Sequence, residues 1–257
     1  MGDRKIESGK IFRKNFGFKS KAKLKNYFKS KDIIRDLDKE YLGNLNIRLE
    51  QIVRKLNEIV DHSVKADDLE KFIAANLHTK FESMLSSGQI TKLTNQGRTV
   101  EDVYFSWMRG YLLAAFFKKP ISMIFGIHAD SISSIGGDYS EDEKDFKRLS
   151  TADFEFTKDK EVIRIEFQSG FTGVNQIKRS KVEQAISQRN DKITTYAFHV
   201  DLFSGVAALI RLDTLGSDTI QWIKNARFEG AEVFDIPQKH FVWELGETLP
   251  NNVLDFG

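Results

Sequence analysis

Apolar residues recur at helical spacing through the first half of the chain. Leu49, Ile52, Val53, Leu56, Ile59 and Val60 mark one face of a long helix, and Ile33, Ile34, Leu37 and Tyr41 extend the pattern upstream. Asp67-Asp68 is placed to cap a further helix through Leu69, Phe72, Ile73 and Leu77. Ser86-Ser87-Gly88 reads as a loop. Thr99 then reads as the N-cap of a helix carrying Val103, Trp107, Tyr111 and Leu112, with Asp102 three residues after the cap. Lys118-Lys119-Pro120 is expected to end it, because lysines suit a C-terminal dipole and proline cannot continue the ladder.

The period changes after Ile121. Gly136-Gly137-Asp138 marks a loop, and the charged stretch 141–147 suits a short helix. Residues 152–157 and 161–168 alternate with period two, as strands do. Residues 175–189 read as a helix that is basic at its start. Residues 193–202 and 206–212 read as two strands joined at Phe203-Ser204-Gly205, then 218–228 as a short helix, with final strands at 233–236 and 241–245. Helices first, followed by a β-β-α-β-β unit, predict an α/β chain of the α+β kind. Three regions are expected: a basic arm at 1–31, a helical region at 32–126 and a core at 127–257.

Charge makes the arm stand out. Of a formal +2, residues 1–31 hold eleven basic side chains against Asp3 and Glu7, a net of +9, which leaves −7 for the rest. Such asymmetry points to a polyanionic partner. Phe12, Phe16, Phe18, Tyr27 and Phe28 lie among those bases, which equally suits a surface helix whose aromatics pack on the body. With 21 Phe and 40% hydrophobic residues the chain can bury a substantial core. No apolar run approaches the length of a membrane span, and no apolar signal segment opens the chain, so no membrane partner and a cytoplasmic location are expected. Zero cysteines exclude disulfides, thiolate metal sites and cysteine nucleophiles.

The most informative segment is 150–169. A hairpin turning at Asp159-Lys160 pairs residues whose numbers sum to 319. Asp153 then opposes Glu166, Glu155 opposes Arg164, and Thr151 opposes Gln168. The other face carries Phe154, Phe156, Ile163, Ile165 and Phe167, an unbroken apolar set. Glu155 has Arg164 as a cross-strand partner, whereas Asp153 and Glu166 have no cation between them in this register. A hard divalent ion such as Mg²⁺ would resolve their repulsion. A solvated polar face of an antiparallel sheet gives the same pattern.

Asp153 followed by Glu166-Phe167-Gln168 on the next strand resembles the signature of the PD-(D/E)xK nucleases, the superfamily of most Type II restriction endonucleases. The resemblance covers roughly residues 145–212. Ala152 replaces the motif proline and Gln168 the motif lysine, so a second metal or a lysine from elsewhere would have to compensate. The resemblance implies a restriction-endonuclease-like mixed sheet flanked by helices. It implies hydrolysis of double-stranded DNA with Mg²⁺ held by Asp153, Glu166 and the Phe167 carbonyl, while Gln168 orients the water. It also implies a homodimer acting in restriction-modification. Phosphate contacts are expected from Arg13, Lys14, Lys19, Lys21 and Lys23 of the arm, and from Lys178 and Lys181, which with Gln184 share one face of the following helix. An upstream glutamate, Glu82 or Glu101, often supports such a metal site.

Other constellations carry less. No two of the five histidines have zinc-ligand spacing, while His199 and Asp201 share one face of a strand. Gly170-Phe-Thr-Gly173 is a turn beside the motif strand, and no phosphate-loop or nucleophile-elbow motif occurs. Two rival functions stay open: a repair, phage or mobile-element nuclease of the same fold, and a non-catalytic DNA-binding protein that works through its arm.

Overall fold

The structure is a computed structural model that describes residues 2–29, 36–93, 98–135, 152–215, 220–225 and 230–256. The chain divides into two compact units, Met1–Lys39 and Glu40–Gly257. The expected boundary at residue 31 therefore falls later. No boundary separates the helical region from the core, because a helix of the first packs directly on the sheet of the second.

The first unit is a helical hairpin and not one helix. Helices α1 (Gly2–Asn15) and α2 (Lys21–Phe28) are joined through Gly17, whose φ of +90° favours glycine. Ser20 caps α2 by accepting a hydrogen bond from the Lys23 amide. The aromatics stack on one another: Phe16 lies 5.9 Å from Phe12, 5.8 Å from Phe18 and 5.7 Å from Phe28. The rings remain open to solvent even so, Phe12 at 63% and Phe28 at 67%.

In the second unit, α3 (Lys39–Ile59) buries Leu42, Leu49, Val53 and Leu56 on one stripe. Its upstream extension through Ile33 and Ile34 lies outside the described residues. Asp68 caps α4 (Leu69–Ile73), which runs through a π-helical stretch, Ala74–Thr79, into α5 (Lys80–Ser86). After the short α6 (Gln89–Lys92), α7 spans Val100–Phe125. Thr99 caps α7 as expected, accepting from the Asp102 amide and donating to its carboxylate. Lys118-Lys119-Pro120 does not end it. A proline inside a helix costs about 3 kcal/mol, but the turns around Pro120 bury Phe116, Phe117, Ile121, Ile124 and Phe125, and burying one such side chain contributes about 2 kcal/mol. Lys119 instead reaches the Lys65 carbonyl and Asp67. The helix stops at Gly126, whose φ is +61°.

The main sheet is mixed. Its strands β1 (Ser133–Ser134), β2 (Phe154–Lys158), β3 (Glu161–Gly170), β5 (Ile193–Asp201), β6 (Val206–Arg211) and β9 (Phe241–Glu244) lie in that order, with only β3 and β5 parallel. A second sheet orders β4 (Gln176–Lys178), β8 (Ala231–Asp235) and β7 (Ile223–Asn225). Two expected helices are thus partly strands. Gln176–Lys178 pairs with β8 and buries Ile177 opposite Phe234, so helix α8 begins only at Arg179 and ends at Gln188. Ile223–Asn225 pairs with β8 as well. The stretches 136–151, 216–219 and 226–229, with the expected short helix at 141–147, Asp218 and the Thr151 half of the expected Thr151–Gln168 pair, lie outside the described residues.

Each face of the main sheet is covered differently. On one face α7 runs antiparallel to β3: Phe125 meets Phe156 and Tyr196, Phe117 meets Phe167 and Phe198, and Arg109 stacks on Phe171. On the other, Ala197, Ala208 and Ile210 join Val182 and Ala185 of α8 and Ile177 and Phe234 of the second sheet in one core. Among the described residues no helix is long and apolar enough to cross a membrane.

Candidate functional site

The hairpin forms in the expected register. Phe154 opposes Ile165, Glu155 opposes Arg164 and Phe156 opposes Ile163. Asp159 and Lys160 turn it, with φ of 51° and 70°, the left-handed pair that a two-residue hairpin turn needs. The apolar face is buried throughout, and Arg164 donates from Nε to Glu155 at 2.8 Å.

The ladder slips at Asp153. Its amide donates to the Ile165 carbonyl, which is one residue short of a simple pairing with Glu166. Its side chain turns onto the opposite backbone, where Oδ2 accepts from the Phe167 amide at 2.8 Å. Asp153 therefore sits against the Glu166–Phe167 peptide. The Phe167 ring points the other way, stacked on Phe117.

Glu166 is 9% exposed and is not part of a solvated polar face. Burial pushes its carboxyl above the ordinary value, and the Lys181 ammonium pulls in the opposite sense without cancelling that. Lys181 Nζ donates to Glu166 Oε2 at 2.8 Å from the first turn of α8. The cation missing from the hairpin is thus supplied by the next helix. Lys178, expected on that helix, is exposed at the end of β4, and its charge also acts on Glu166. Lys178 is the N-cap of α8, so of the three only Lys181 and Gln184 lie within the helix.

Gln168 lies half-buried two residues along, beside His199 in the parallel register. Its Oε1 is 3.3 Å from His199 Nδ1. His199 Nε2 is 2.9 Å from Asn175 Oδ1, and Asn175 Nδ2 donates to Asp201 Oδ2 at 3.0 Å. Asp201 also accepts from the Phe203 amide. Gly170 gives this chain room, because a Cβ there would stand 3.1 Å from Asn175 Oδ1. Burial lowers the pKa of His199 to about 4, opposed only by the Asp201 charge. The shared strand face of His199 and Asp201 was visible from their spacing. Asn175 was not, because it was read as the first residue of the helix at 175–189, whereas it lies in the loop between Gly173 and β4.

The upstream glutamates stand apart from this cluster. Glu82 is exposed on α5. Glu101 is wholly buried in the first turn of α7, one turn from Tyr104, whose hydroxyl donates to Asn46 of α3. At 1.5 Å per residue it lies about 24 Å along the helix from Phe117, the residue level with Phe167. Arg13, Lys14, Lys19, Lys21 and Lys23 belong to the helical hairpin, all but the half-buried Arg13 exposed.

The oxygen donors near the Glu166–Phe167 peptide are two carboxylates and backbone carbonyls, which suit a hard cation. The buried, upshifted Glu166 would gain from added positive charge. No group of three or more acidic or histidine side chains able to hold a metal occurs among the described residues. Comparison with protein-family models, with curated proteins and with solved structures gave no match.

Proposed function

We propose that the protein is a Mg²⁺-dependent endonuclease that hydrolyses phosphodiester bonds of double-stranded DNA, acting as a homodimer in restriction-modification. The observation that carries this reading is the pair of contacts on adjacent residues of β3, Asp153 accepting from the Phe167 amide and Lys181 donating to the Glu166 carboxylate. Asp153, Glu166 and the Phe167 carbonyl would hold the ion, which when bound supplies Lewis acidity to the phosphoryl oxygen and acidity to a water. Lys181 supplies the positive charge that Gln168, in the place of the motif lysine, cannot. It balances the buried Glu166 and stands where negative charge develops on the phosphate. Gln168 orients the attacking water. The cations of the helical hairpin bind the DNA backbone.

The exposed rings and cations of that hairpin also favour a second reading, a DNA-binding protein without catalysis. Incubation with phage DNA and Mg²⁺, followed by sequencing of fragment ends, separates the possibilities. Discrete ends support restriction, and a smear supports a repair or phage nuclease of the same chemistry. Intact DNA bound by the protein supports the second reading.

A further inference from the structure

The polar chain behind Gln168 has a proton arrangement that can be worked out from its far end. Asp201 is buried, which alone would raise its carboxyl, but hydrogen bonds from Asn175, Phe203 and Ser204 hold it below its ordinary value. It is a carboxylate and can only accept. Asn175 must therefore turn its NH₂ to Asp201 and its oxygen to His199, as the structure has it. That oxygen needs a donor, so His199 carries its proton on Nε2. His199 is 4% exposed and neutral, and its Nδ1 is then a bare lone pair.

Nδ1 faces the Gln168 oxygen at 3.3 Å, so two acceptors meet. The two ends of a carboxamide have nearly the same shape, so proton supply and not fit decides which end faces which neighbour. Turned over about its last bond, Gln168 gives up the hydrogen bond that its NH₂ donates to the Glu166 carboxylate, donates to Nδ1 instead and presents its oxygen toward Glu166. That oxygen meets a carboxylate, which is unfavourable until a hydrogen-bond donor or a cation lies between them. A water bound beside Glu166 is such a donor.

We propose that Asn175 and His199 are positioning residues that fix the polarity of the Gln168 carboxamide, turning its oxygen into the site to accept a hydrogen bond from the attacking water. The proposal rests on the nuclease reading for the role of that water, but the orientation stands on the hydrogen-bond chain alone. An acceptor is what a water nucleophile needs, since it gives up a proton as it attacks.

Two measurements on the full chain test it. Nitrogen-15 NMR of His199, without metal or DNA, is expected to show a protonated Nε2 and a bare Nδ1. In Asn175→Ala, where Asn175 is only half-buried, that single tautomer is expected to be lost. Cleavage with Mg²⁺ is the second readout. His199→Phe is expected to lower kcat about 10²-fold at unchanged KM. In a Gln168→Glu background, where either end accepts, the same change should cost less than about threefold. A protonated Nδ1, or equal losses in both backgrounds, overturns the proposal. Inactive wild-type protein with a protonated Nε2 removes the nuclease reading and the role of the water, and retains the orientation. Active protein with a protonated Nδ1 does the reverse.

Discussion

Single residues show how burial rewrites the chemistry that spacing suggests. The pairing of Glu155 with Arg164 was legible because the hairpin register follows from alternation and one turn, whereas the slip that moves Asp153 from opposite Glu166 onto the Phe167 amide was not. The partner of Glu166 was not, since Lys181 lies fifteen positions on and reaches back only through the packing of α8. Lys181→Met should destabilise the protein by about 2 kcal/mol at pH 7, less than for a fully buried pair because Lys181 is 22% exposed. The loss should shrink in acid, where the upshifted Glu166 takes up a proton, and urea unfolding at two pH values measures both. His199 works in the opposite sense. Its folded pKa of about 4 lies below the ordinary 6.5, so the unfolded chain binds the proton first. Its contribution is complete above pH 6.5 and is lost as pH falls to about 4, by about 3 kcal/mol. The stability difference between wild type and His199→Asn should follow that window, and a difference independent of pH contradicts it.

Elements show where local pattern suffices and where it fails. The hairpin was legible from Phe154 to Ile165 because it closes locally at Asp159-Lys160. Lys160 holds a φ of 70° at a cost glycine avoids. Lys160→Gly should therefore stabilise by about 0.5–1 kcal/mol, seen as a rise in Tm of a few degrees. Helix α7 passed through Pro120 because its burial outweighs the lost hydrogen bond, which local propensity does not register. Strands β4 and β7 were read as helix because three residues carry little alternation and only their pairing with β8 makes them strands. The arm, for which a single surface helix was one reading, is two helices because Gly17 supplies the turn.

At the scale of the whole molecule, charge separates the unit rich in exposed cations from the unit that carries the carboxylate cluster. This asymmetry was legible in composition alone, whereas the placement of Glu101 deep in the helical layer was not. If the helical hairpin binds DNA by phosphate contact, replacing Arg13, Lys14, Lys19, Lys21 and Lys23 together by Gln should flatten the plot of log affinity against log salt by about 4 to 5. Fluorescence anisotropy on a labelled duplex measures this, and an unchanged slope removes those residues from the interface. The central claim, that Asp153 and Glu166 form the hydrolytic centre, is tested most directly by Asp153→Asn. Duplex DNA with Mg²⁺ should be cut to discrete ends by the wild type, while the variant binds the same DNA with equal affinity and leaves it intact. Cleavage by the variant at the wild-type rate would contradict the account.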